Sequence, residues 1–203
     1  ETDFTALKAR PSLEFLLGTD VLGRDILARI IHGARISLTV GLFAPAIGLL
    51  IGLLLGMLAG YYRGRLESVI IGMMDVILAF PNIVLAMCIL FFAGATMTNL
   101  IIVLSITSIP ANTRIARAST LTFAEREFVT AARAQGASDM RILWREILPN
   151  IVLPQLAYIL SFISITIMIE GSLAFLGVGI PPPSPTLGSM IAQGFPDINT
   201  DPH

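Results

Sequence analysis

Charge is scarce in this 203-residue chain: Lys, Arg, Asp and Glu make up 13% of it, against roughly a quarter in an ordinary soluble domain. The net charge is −1, and no basic stripe with interleaved aromatics occurs, which excludes nucleic acid as a partner. There is one cysteine, Cys88, inside an apolar block; a disulfide framework is excluded, and a small lipid- or helix-facing residue is the plain reading. The two histidines, His32 and His203, stand far apart with no ligand-spaced neighbours, so neither a metal site nor a cofactor is expected. No phosphate-binding GxxxxGK[ST] loop is present, so any nucleotide chemistry belongs to a partner chain. The opening residues ETDFTALKARPSLEF carry no signal-peptide pattern.

What the chain has is apolar residues, 55% of the total, gathered in long blocks with the charges between them. A membrane span needs about 20 mostly apolar residues. Four blocks qualify: residues 36–60, 68–93, 100–117 (kinked near Pro110) and 151–173. The blocks are continuous and too long for barrel strands, so the fold class is all-α, a polytopic membrane helical bundle. Residues 1–35 are polar. Turns are expected at Gly18-Thr19-Asp20 and Gly23-Arg24-Asp25, and residues 25–35 form an amphipathic pattern that predicts a short interfacial helix. In the first span, Gly48, Gly52, Gly56 and Gly60 stand four apart and mark a close-packing face.

Basic residues mark the cytoplasmic side. Arg63 and Arg65 follow the first span, and Arg114, Arg117, Arg126, Arg133, Arg141 and Arg145 follow the third, whereas the turn at 94–99 and the tail 177–203 have none. This places the long loop inside and the tail outside. The segment 1–35 is then external, although it holds Lys8, Arg10, Arg24, Arg29 and Arg35.

The segment 122–149 is too charged to span and reads as a helical elbow. Thr122 and Glu125 suit a capping box that starts its first helix, Gly136 ends that helix, and Ser138 caps a second. Asp139 favours the positive end of that second helix, and Pro149 closes it. Phe128, Val129, Ala132, Met140, Leu143, Trp144 and Ile147 give the elbow an apolar face. From the residues alone, a docking device and a stiff connecting loop stand about even.

Thr130-Ala131-Ala132, Gly136 and Ile147-Leu148-Pro149 resemble the EAA motif of ABC importer permeases, and the surrounding wording is similar to the dipeptide/oligopeptide branch. Four further strings match that branch in order: Gly18-Thr19-Asp20-x-Leu22-Gly23-Arg24-Asp25, Gly33-Ala34-Arg35-x-Ser37-Leu38, Asp75-x-x-Leu78-Ala79-Phe80-Pro81 and Leu173-Ala174-Phe175-Leu176-Gly177-x-Gly179. The motif's glutamate is Thr130 here, and Leu187 stands where the branch usually has a tryptophan. The resemblance implies one transmembrane domain over 1–203 in the inner membrane of a prokaryote, with no catalytic site. The implied partners are two ATP-binding subunits, a second permease subunit, an extracytoplasmic solute-binding protein and membrane lipid. It assigns ATPase docking to Thr130, Ala131, Ala132, Gly136, Ala137, Ser138, Leu143 and Ile147. Such permeases have six spans, so one further span on each side of this chain is expected. Dipeptide, oligopeptide, glutathione and nickel systems are not separated.

The pathway and gate candidates are Asp75, Glu170, Pro181, Pro182, Pro183 and Leu187. An ionisable group inside a span is costly, roughly 3 kcal/mol on insertion scales, and invites a functional reading. Asp75 is expected to cap or to pair with Arg63 or Arg65; for Glu170 a pathway role and a structural role both stand. Beyond Gly177, three prolines stiffen the chain, and Thr186 or Ser189 starts a short amphipathic helix that would roof the pathway and meet the binding protein. A secondary transporter would show inverted repeats and several buried charges, neither of which is found; a membrane anchor without a pathway is the third class.

Overall fold

A computed structural model of the chain describes residues 7–197. The opening loop is pinned by an antiparallel bridge between Thr19 and Asp25. Asp25 then accepts the Leu27 N–H at 2.9 Å and caps α1, Ile26–Tyr62. This helix of 37 residues is about 55 Å long, well beyond the ~30 Å of hydrocarbon in a bilayer. The short interfacial helix and the first expected span are thus one continuous helix. Within it Gly33 is buried against the backbone of Thr186 and Leu187, where a Cβ would come within 3.3 Å.

The second expected span is broken in its middle. It is two helices, α2 (Gly64–Leu78) and α3 (Asn82–Ala93), bent by 82° at the break. Pro81 has no N–H to offer and disfavours helix at Phe80. At 15 and 12 residues, each is too short alone to cross. Pro45 and Pro110 stay inside helices instead. Both are buried, whereas residues 79–84 are exposed and nothing holds them in line.

The third block is α4, Met97–Ala124, capped by Thr96, which accepts the Asn99 N–H. It lies along α1. A methyl group added at Gly52 would sit 2.6 Å from Asn112 Cβ, and one at Gly56 would sit 2.4 Å from the Thr113 carbonyl. The glycine stripe is therefore the α1–α4 seam, faced by Ser105, Ser108, Asn112, Thr113 and Thr120 on α4. Close backbone approach is what joins helices in lipid, where hydrophobicity gives no preference for a neighbour helix.

A short helix α5, Glu127–Ala134, follows. Then α6 (Asp139–Arg141), a π-helical turn (Ile142–Ile147) and α7 (Leu148–Phe175) run on as one 37-residue stretch. Pro149 does not close the second elbow helix; it stands in the first turn of α7, just after the π-helical turn, and leads the chain into the last span. A last helix, α8 (Leu187–Gly194), precedes a 3₁₀ turn at Phe195–Asp197. Its predicted start is found at Thr186, whose hydroxyl accepts the Ser189 N–H while Ser189 accepts the Thr186 N–H.

The core has two tiers. One joins Val40, Ala44, Ala86, Leu90, Leu100, Leu104 and Leu173 at the middle of α1. The other joins Leu53, Met57, Ala116, Val129, Ile142, Leu143, Ile147 and Ile151 near its end. Between them Gln155 of α7 donates to the Asn112 carbonyl at 3.4 Å, and Asn112 donates to the Ser108 carbonyl at 2.9 Å. Three described helices are long and apolar enough to cross a membrane, four if the bent pair counts as one span.

Candidate functional site

The elbow is built on the end of α1. Helix α4 continues through Ala124, so the capping box expected at Thr122 and Glu125 does not form: Thr122 Oγ1 donates to the Ala118 carbonyl at 3.2 Å, inside α4. The chain turns at Glu125–Arg126 into α5. Gly136 ends α5 as expected, at φ +80°, with its N–H on the Arg133 carbonyl and the Ala137 N–H on the Ala132 carbonyl. That pair of bonds is a glycine C-cap. Ser138 precedes α6, but its side chain makes no capping bond.

Val129, Ile142, Leu143 and Ile147 are buried against Leu53, Met57 and Ala116. Leu143 and Ile147 thus correct an expectation: they anchor the elbow to its own bundle and are not on its outer surface. Thr130, Ala131, Gly136 and Ser138 are exposed, and Ala132 and Ala137 are half-buried. Phe128, Met140 and Trp144 stay outside at 38%, 58% and 48% exposure. The end of α1 clamps both arms of the elbow. The Tyr61 hydroxyl donates to Asp139 at 2.7 Å, the Arg133 guanidinium lies 5.3 Å from the Tyr61 ring centre, and Arg63 pairs with Glu125 at 2.7 Å. Sequence reasoning gave Tyr61 no role, assigned Glu125 to a capping box and offered Arg63 to Asp75; the polar run closing the first apolar block was the available signal for the clamp. Arg63, Glu67, Arg117, Leu121, Thr122 and Glu125 line a cavity of about 470 Å³ beside this clamp, where Arg117 pairs with Glu67.

Of the pathway candidates, Glu170 and Leu187 are brought together through Ser37, and Asp75 lies apart from them. Asp75 lies on α2, half-exposed, and pairs with Arg114 of α4 at 2.6 Å, not with Arg63 or Arg65. Glu170 sits toward the opposite end, 1% exposed. Its Oε2 accepts the Ser37 hydroxyl at 2.9 Å, and Ser37 in turn faces the Leu187 N–H at 3.3 Å. Glu170 and Leu187 therefore meet through a residue that sequence reasoning did not single out. Pro181, Pro182 and Pro183 are exposed.

A family model for the binding-protein-dependent transport system inner membrane component matches residues 52–196, from the glycine seam through the elbow to the last helix. The chain belongs to this family. This inner membrane component is 43% identical over 99% of its length to the glutathione transport system permease protein GsiD of Escherichia coli O157:H7, and spans 66% of that protein. It is 40% identical over 99% of its length to GsiD of Pectobacterium atrosepticum, and spans 67% of it. Its fold is similar to a chain in the inward facing conformations of the MetNI methionine ABC transporter, with a TM-score of 0.73, 18% identity, and coverage of 83% of this chain and 81% of that one. An amino acid ABC transporter with histidines is similar at a TM-score of 0.57 and 20% identity, over 76% of this chain and 75% of that one.

At the end opposite the elbow, the same inner membrane component carries an ionic clasp. Asp20 accepts the Leu22 and Arg24 N–H groups at 2.8 and 2.9 Å, Arg24 Nε at 2.7 Å, and the Arg29 guanidinium. Arg24 and Arg29 both reach Gln193 on α8, at 3.4 and 2.8 Å. Burial alone would raise the Asp20 carboxyl, but the two N–H groups and the Arg24 guanidinium outweigh it and hold the carboxyl below its ordinary value.

Proposed function

We propose that this chain is the translocating permease subunit of an ATP-driven importer for glutathione, di- or oligopeptides, or a similar small solute. Glutathione comes first among these because relatives identical to this chain at about two fifths of the aligned positions carry that name. The observation that carries the coupling role is the elbow: its inner residues are locked into the bundle while Phe128, Met140, Trp144 and the small residues around Gly136 remain uncovered beyond the span. An exposed apolar surface on a rigid, cytoplasmic elbow suits an ATPase groove. Clamps from Tyr61 and Arg63 would carry elbow motion into α1. The partners follow: two ATP-binding subunits, a second permease and an extracytoplasmic binding protein.

Reconstitution of the full-length permease with these partners in proteoliposomes tests the reading. ATP-dependent uptake of radiolabelled glutathione or dipeptides is expected, and it should require the binding protein. A complex that assembles and hydrolyses ATP but moves none of these solutes would overturn the assignment of cargo. Failure of the ATPases to bind a stably inserted permease would overturn the docking role.

A further inference from the structure

We infer that Glu170 is the group that receives the cargo's ammonium, and that α8 is the lid that covers it in this state. The inference rests on the importer reading above.

Glu170 is an expensive residue to keep where it is. It is nearly inaccessible, in the last turns of a long apolar helix, and only one of its oxygens has a partner. Oε1 is buried and unpartnered among the described residues. The elements packed around it supply no cation. Helix α7 has no basic residue, and neither do α3 and α8. On α1, Arg29 is spent on Asp20 and Gln193, while His32 and Arg35 are exposed. The arginines of α4 are near the elbow, paired with Asp75 and Glu67. A glutamine would accept the Ser37 hydroxyl equally well, so the structural bond does not account for the carboxyl. A buried carboxylate normally has a paired, hydrogen-bonded cation. Here the acceptor oxygen and the missing positive charge coincide, which is what an ammonium-bearing ligand would complete. Peptides and glutathione carry such a group.

The cover is built to lift. Helix α8 rests on α7 through small residues: a Cβ on Gly188 would lie 2.5 Å from Gly171 Cα and 2.9 Å from Ala174 Cβ, and just beyond α8 Phe195 packs edge-on against Phe175. Its polar ties are the long Leu187–Ser37 contact and the Gln193 clasp. Raising α8 uncovers Ser37 and Glu170 together without unpacking either tier of the core.

The test uses the full-length transporter with Cys88→Ser and Ser37→Cys, without binding protein, with and without a non-hydrolysable ATP analogue. An impermeant methanethiosulfonate should modify the new cysteine about tenfold faster in one nucleotide state than in the other. Millimolar S-methylglutathione, whose capped sulfur cannot consume the reagent, should slow that reaction several-fold, its N-acetylated form should not, and adding Glu170→Gln should abolish the protection while Glu170→Asp retains part of it. With Ser37 intact, Glu170→Gln should raise the half-saturating glutathione concentration for uptake by about tenfold, as expected for a lost charge-assisted bond; an unchanged value overturns the inference. A cysteine that stays unreactive in both states, in a complex that still takes up cargo, makes Glu170 a sealed structural residue and leaves the importer reading standing. Equal protection by both probes removes the ammonium role alone. A wild-type complex with no ATP-dependent uptake would instead remove the importer reading.

Discussion

At the scale of single residues, Gly136 separates conformation from contact. Its φ of +80° disfavours any side chain, yet a Cβ there would meet nothing within 4 Å. Gly136→Ala should therefore cost only the backbone strain, about 1 kcal/mol, and leave the permease inserted. Gly136→Asp adds the same strain plus a charge on the proposed docking surface. Co-purification with the ATPases should be weakened far more by the aspartate than by the alanine; equal effects would mean that the turn matters only for its shape. Asp20 provides a second test. Its depressed carboxyl contributes stability that is complete above the ordinary value of 3.8 and is lost as pH falls through the lower folded value. The clasp should thus be indifferent to pH between 5 and 8 and open only in stronger acid. Asp20→Asn should remove on the order of 2 kcal/mol at neutral pH, because several charge-assisted bonds go at once. Thermal unfolding of the purified protein across pH should show the acid-sensitive part of its stability disappearing in that variant.

At the scale of elements, the α1–α4 seam makes glycine positions unequal. Gly52→Ala would place a methyl group 2.6 Å from Asn112 Cβ, and Gly56→Ala one 2.4 Å from the Thr113 carbonyl. Either should push the helices apart at a cost of roughly 1–3 kcal/mol. Gly72 on α2 has open space around its Cβ position, and alanine there should be neutral or stabilise by up to about 1 kcal/mol through helix propensity. Melting temperatures in detergent would check the contrast; similar losses at all three positions would contradict the seam. The bend at Pro81 is equally local in origin. The residues on both sides are exposed, so the bundle offers no contact that would repay holding α2 and α3 in line.

For the whole molecule, α1 fixes the polarity. Its end carries the elbow, and its start carries α8 and the Asp20 clasp, so the proposed ATPase and binding-protein surfaces lie at opposite ends of one helix about 55 Å long. In a Cys88→Ser background, a cysteine at exposed Ser184 should react with an impermeant reagent only from outside, and one at exposed Ser138 only from the cytoplasm. Loaded binding protein should slow labelling at Ser184. Labelling of both sites from the same side would reverse or break the topology, and indifference to the binding protein across several tail positions would remove docking there.

What the sequence determined by itself was whatever short-range pattern encodes: apolar runs that can only be satisfied as helices in lipid, a glycine stripe that had to be a contact face, and a glycine in position to end α5. The family was also legible, because its strings occur in order and at fixed spacing. Tertiary structure decided the pairings. Glu170 meets Ser37 across 133 positions, and Asp75 takes Arg114 although Arg63 and Arg65 are nearer in sequence. Leu143 and Ile147 turn inward because Leu53, Met57 and Ala116 offer them a dry partner. Thr122 follows α4 although a glutamate stands three residues on, and Gly33 continues a helix because α8 lies against it. A local signal states what a residue is able to do. Which of those options has the lower free energy depends on the neighbour that the rest of the chain brings to it.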